Sequence, residues 1–173
     1  MNTETALWKH LKSKTDKDVH WTRIEARVGA GIPDINGAYQ RVVSGRLRGI
    51  EIWCELKVCK TKQYKTAGLW RPAQIAWQTA RSHKMRNVWN LVGHPQAEVV
   101  KIYSGDKILN LWEDGSGSTE PDMVLRYRNP YDSWSLFLEM AAARSFDAIS
   151  RGWRARKTPD LSTGGCGAGL RCN

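Results

Sequence analysis

The sharpest pattern in the chain spans residues 50–58. Ile50, Ile52, Cys54, Leu56 and Val58 alternate with Glu51, Trp53, Glu55 and Lys57, which is the period-two signature of a strand with one apolar face. Upstream, Ala6, Leu7 and Leu11 share one stripe of residues 3–12, predicting an amphipathic helix with Thr3 as N-cap and Glu4 in its first turn. A polar loop over 13–18 leads to a predicted strand over 19–28, broken by Gly29-Ala30-Gly31. Ile32-Pro33-Asp34-Ile35 then opens a strand or hairpin that runs through Tyr39 and Val43 to a basic turn at 44–48.

Past the strand, residues 59–70 read as a basic loop, with Lys60, Lys62 and Lys65 around Tyr64 and Trp70. Pro72 suits the first position of a helix reaching about Lys84. Ala73, Ala76, Trp77 and Ala80 form its apolar stripe, and Gln74, Gln78 and Arg81 its polar one. Strands are predicted over 88–92 and 98–103, then a short helix or turn over 106–113, a Gly/Ser stretch at 115–118 and an amphipathic helix over 132–150. Residues 151–173 are basic and then glycine-rich, a composition expected to be partly disordered. The order helix, three strands, helix, two strands predicts an α/β fold. One mixed central sheet is flanked by helices in a core of about 1–103, with a helical appendage over 104–150, all within a single domain.

Composition adds charge to this picture. The 173 residues are 41% apolar and 25% charged, as in ordinary folded domains. No apolar run approaches the roughly 18 residues of a membrane span, and Glu4 stands where a signal peptide would be basic. A cytoplasmic protein without a membrane partner is expected. Lys and Arg total 27 against 17 Asp and Glu, giving a net charge of +10 and a pI near 9.7. That surplus favours a polyanionic partner such as DNA, because neutralising phosphates releases condensed counterions; a merely solvated cationic surface is the alternative. Cys54, Cys59, Cys166 and Cys172 lack metal-ligand spacing, and His10, His20, His83 and His94 are scattered, so neither a zinc site nor a disulfide framework is predicted.

Glu55 and Lys57 project from the same strand face, opposite the apolar one. Hydrolysis of a phosphodiester with divalent metals needs carboxylates to hold the cation, and a nearby lysine can orient the nucleophile or offset developing charge. Glu55 is the only acidic residue followed two positions later by lysine. Asp34, after Pro33 at a strand start, can supply the second carboxylate from the neighbouring strand. A second Pro-Asp pair, Pro121-Asp122, has no such partner downstream.

In combination, Gly31-Ile32-Pro33-Asp34-Ile35, Glu55-Leu56-Lys57 and Arg71-Pro72-Ala73-Gln74 with Trp77 resemble the PD-(D/E)xK nuclease superfamily. The likeness is greatest to the phage and archaeal Holliday-junction-resolvase-like and VRR-NUC group, over roughly residues 1–103. This resemblance implies a restriction-endonuclease-like core and a Mg²⁺-dependent endonuclease, with Mn²⁺ able to substitute. It implies that Asp34 and Glu55 bind the metal, Glu4 on the first helix completes the site, Lys57 assists the attacking water and Gln74 lies at the site. Glu25 competes with Glu4, whose bland reading is a charge favouring a helix N-terminus. The resemblance further implies a homodimer acting on branched DNA, and a phage origin with function in the host cytoplasm fits it. A nuclease of other specificity and a catalytically silent DNA-binding module are the alternatives.

Around that site, Arg41, Arg46 and Arg48 are expected to line its rim, and Lys60, Lys62, Lys65 and Arg71 to track the nucleic-acid backbone, with Tyr64 and Trp70 available for base stacking. Trp53, on the face of Glu55, either stacks on a nucleotide or is covered by a helix. Arg151, Arg154, Arg156 and Lys157 form either a basic arm or a solvated helix end.

Overall fold

In the computed structural model, residues 2–24, 31–43, 45–60, 68–129 and 133–157 are described. Their elements are α1 (Glu4–Thr15), β1 (Val19–Arg23), β2 (Ile35–Val43), β3 (Arg46–Val58), α2 (Pro72–Met85), β4 (Val88–His94), β5 (Val99–Ser104), a 3-10 turn (Gly105–Lys107) running into α3 (Ile108–Glu113), β6 (Met123–Arg126) and α4 (Trp134–Lys157). The six strands form one sheet in chain order, β1 to β6. Every pairing is antiparallel except β3 with β4, which are parallel and joined across the sheet by α2. A parallel pair requires such a crossover, whereas the antiparallel pairs need only short connections.

Both faces of the sheet are covered. Ile52, Cys54 and Leu56 of β3 join Ile35, Trp89, Leu91, Val100 and Ile102 in a core closed by Leu7 and Leu11 of α1 and by Trp134, Phe137 and Leu138 of α4. The predicted cap holds α1 in place, with Thr3 Oγ1 accepting from the Ala6 amide at 3.1 Å. On the opposite face a smaller core gathers Cys59, Trp70, Ile75, Val92, Tyr103, Ile108 and Leu111 beneath α2 and α3. Cys54 and Cys59 are both buried.

Several expectations change. The strand read over 50–58 begins at Arg46, so the basic turn contracts to the residues around Gly45, whose φ of +73° lies in the left-handed region. Residues 25–28 of the first predicted strand lie outside the described residues. Met123–Arg126 adds a strand that was not predicted, held at the edge by β5. The C-terminal part is no appendage, because Phe137 is fully buried and packs edge-on against Trp89 at 5.5 Å. Asp122 also proves structural: it accepts from the Ser104 amide and hydroxyl and pairs with Lys107 and Arg144, tying β5, the 3-10 turn and α4 together. Among the described residues no helix is long and apolar enough to cross a membrane.

Candidate active site

The β2–β3 register aligns Ile35 with Cys54, so Asp34 and Glu55 meet at the open end of the hairpin. Asp34 holds its place through both backbone and side chain. Its carbonyl accepts from the Ile24 amide at 2.8 Å, and its Oδ2 accepts from the Leu56 amide at 2.8 Å. The preceding turn is pinned by Gly31, whose φ is +103° and which lies so close to α2 that an added Cβ would fall 2.2 Å from the Ala73 carbonyl oxygen. Only glycine meets both demands, the positive φ and the close approach.

Glu55 is fully buried, and Lys57 is only 7% exposed. Glu55 Oε1 accepts from the Lys57 ammonium and from Gln74 Nε2, the latter at 2.5 Å. Its other oxygen, Oε2, is buried without a hydrogen-bond partner. Lys57 also stands 3.9 Å from Glu4 Oε1. Three carboxylates thus share one ammonium in a partly desolvated corner, and the protonation of Glu55, Glu4 and Lys57 responds. Burial pushes the Glu55 carboxyl up to about 7; Lys57 opposes the rise, while Asp34 and Glu4 add to it. Burial likewise raises Glu4, with Asp34 adding to the rise and Lys57 and Arg23 opposing it. Burial alone would lower Lys57, but the Glu55, Asp34 and Glu4 carboxylates outweigh it and hold the ammonium above its ordinary value.

No protein-family model matches the chain, and no curated protein matches its sequence.

The four motif residues Asp34, Glu55, Lys57 and Gln74 come together as the sequence predicts, and Glu4 joins them through Lys57. Two roles shift. Among the described residues no three His, Cys, Asp or Glu side chains gather closely enough to hold a metal ion, so Glu4 does not complete a ready-made cage. It stands half-exposed beside the lysine instead. Gln74 has both polar ends engaged, its Oε1 accepting from the Arg71 amide at 3.0 Å and its Nε2 donating to Glu55. It thereby holds the orientation of the glutamate.

The expected rim changes more. Arg41 aligns with Arg48, and Val43 with Arg46, at the closed end of the hairpin. At ~3.3 Å per residue the path from Arg48 to Glu55 is roughly 23 Å, so these arginines do not border the site, and Arg41 instead pairs with Glu139 of α4 at 3.5 Å. An antiparallel hairpin whose motif carboxylates sit at its open end must put its turn far from them. Lys60 and Arg71 are exposed at the ends of segments leading from the site. Lys62, Lys65, Tyr64 and Glu25 lie outside the described residues, as do the side chains of Arg151, Arg154, Arg156 and Lys157.

Two tryptophans also resolve. Trp53 is covered by Trp77 of α2, ring centroids 5.5 Å apart, with the Arg81 guanidinium over both rings. Trp70 is buried, so it is no stacking platform, and its indole N–H donates to Asn90 Oδ1 at 2.9 Å. Asn90 in turn donates to Gln78 Oε1 at 2.8 Å. Asn90 and Gln78 were missed as parts of the site. The available signal was an asparagine inside the apolar run of β4 and a glutamine one helical turn after Gln74.

Proposed function

We propose that the chain is a metal-dependent endonuclease that hydrolyses DNA phosphodiester bonds, acting as a homodimer on branched DNA such as a four-way junction. The observation that carries this reading is the buried, unpartnered Oε2 of Glu55 beside Asp34, in a corner where three carboxylates share one ammonium. A local excess of carboxylate is out of character for a protein of net charge +10, and a hard cation would relieve it.

The donor set suits Mg²⁺, with Mn²⁺ as substitute. Mg²⁺ is commonly held by one or two carboxylates and completes its shell with water and substrate phosphate oxygens, so two protein carboxylates suffice. Asp34, with Oδ2 fixed by the Leu56 amide, and Glu55, with Oε2 free, would hold it. Such a cation supplies charge neutralisation at the phosphate and acidifies a water. Gln74 and Lys57 fix the rotamer of Glu55 from one side, which keeps Oε2 directed away from both. Lys57, anchored by its carboxylates, presents a permanent ammonium to the attacking water or to a phosphate oxygen. The +10 surface, with Lys60 and Arg71 flanking the site, supports attraction of the DNA backbone.

The test is cleavage of a labelled four-way junction and its matched linear duplex, each with Mg²⁺ and with EDTA. Symmetric, Mg²⁺-dependent cutting of the junction alone is the expected result. Equal cutting of both substrates would keep the nuclease and remove the preference for branches. Tight binding without cutting of either would favour a silent DNA-binding module.

A further inference from the structure

Four polar side chains meet between α2 and the sheet. Glu55 and Asn90 are register partners on β3 and β4, and Gln74 and Gln78 lie one turn apart on α2. Gln74 is bonded to Glu55, and Gln78 to Asn90. Glu55, Gln78 and Asn90 are each fully buried or within 1% of it. Two of their atoms are buried without partners, the acceptor Glu55 Oε2 and the donor Gln78 Nε2.

The direction of this chain is set by Trp70. An indole N–H can only donate, so the Asn90 group facing it must be the carbonyl oxygen. Asn90 is then left to offer its NH₂ to Gln78, which must accept through Oε1. The Gln78 amide is consequently turned so that its NH₂ is left over, on the same interface as the leftover carboxylate oxygen. A buried donor on α2 and a buried acceptor on β3 are thus both left open, and one bridging water could satisfy the two, because orphaned polar groups in an interior are costly and ordered water commonly satisfies them.

We propose that Trp70, Asn90 and Gln78 form a one-way hydrogen-bond relay that positions Glu55, with the Gln78 N–H reaching Oε2 through a buried water. This inference rests on the reading of Glu55 as a metal-holding residue. A carboxylate oxygen has two lone pairs, so Oε2 can receive this bond and a cation together. Gln78 and Asn90 are positioning residues in this scheme, since neither touches the substrate.

The test is Mg²⁺ titration of the full chain by calorimetry, with DNA affinity in EDTA and thermal unfolding measured alongside. Gln78→Met keeps the volume and removes both the donor and the oxygen that accepts from Asn90. It should weaken Mg²⁺ binding about 10-fold, the lower end of what loss of an outer partner of a metal ligand costs, while DNA affinity in EDTA is unchanged. Trp70→Phe keeps an aromatic ring at this buried position and removes the N–H that sets the direction, together with part of the indole. It should weaken Mg²⁺ binding in the same sense by a smaller factor, and it decides the matter if Gln78→Met does not fold. Wild-type Mg²⁺ affinity in a folded variant overturns the relay while leaving the nuclease reading intact. A wild-type protein that binds no Mg²⁺ overturns both.

Discussion

Replacing Glu55 by glutamine removes one buried charge with almost no change in shape, and the pH dependence of its effect can be worked out in advance. In the unfolded chain the carboxyl has its ordinary value of 4.5; in the folded protein burial lifts it to about 7. Below pH 4.5 the group is largely protonated in both states. Between these values the folded protein keeps a proton that the unfolded chain gives up, so stability falls as pH rises, and above about 7 this group adds no further change. At ~1.4 kcal/mol per pH unit the wild type should lose about 3 kcal/mol relative to Glu55→Gln from about pH 4 to about pH 8. Urea unfolding in EDTA reads this directly. With a slope near ~2 kcal/mol per M, the gap between the two midpoints should change by roughly 1.5 M across that range. Lys57 loses its nearest carboxylate in the variant, which offsets the two curves by a constant over this range but does not alter the difference in slope. Parallel curves for the two proteins would instead mean that Glu55 ionises as easily folded as unfolded.

Other consequences are independent of this one. Gly31→Ala places a Cβ 2.2 Å from the Ala73 carbonyl at a φ of +103°, whereas Gly45→Ala, at +73°, meets nothing within 4 Å; thermal melts should show a loss of about 3 kcal/mol or more for the first and about 1 kcal/mol for the second. Phe137→Ala should cost about 3–5 kcal/mol by chemical unfolding, and a loss well below 1 kcal/mol would return α4 to the status of an appendage. Arg46→Ala with Arg48→Ala should leave the rate at saturating DNA within about two-fold of wild type, because removing distant binding contacts does not alter the chemical step; a large fall in that rate would bring the hairpin tip back to the site.

What could be read from the residues depended on how local its cause was. The alternation in β3 and the Thr3 cap are set within a few positions, and both appear as predicted. The meeting of Asp34 with Glu55 follows from pairing consecutive strands, which short connections favour. The same pairing should have sent Arg41, Arg46 and Arg48 to the far end, and proximity in sequence to the motif was the misleading cue. β6 is four residues long, with only Leu125 buried, too little for a period to register. Asn90 and Gln78 were hidden for a different reason. A polar residue within an apolar run gains its meaning from the partner opposite it, and that partner is supplied by the crossover of α2 across the parallel pair.

The central claim, that Asp34 and Glu55 hold a cation for phosphodiester hydrolysis, is tested most directly by single-turnover cleavage of labelled junction DNA by wild type and by Asp34→Asn. The asparagine keeps an acceptor for the Leu56 amide and removes only the charge. Wild type should cleave in a Mg²⁺-dependent manner, with cleavage abolished by EDTA and reduced on the order of 100-fold or more in the variant, and with DNA affinity in EDTA unchanged. Cleavage at the wild-type rate by Asp34→Asn would contradict that claim.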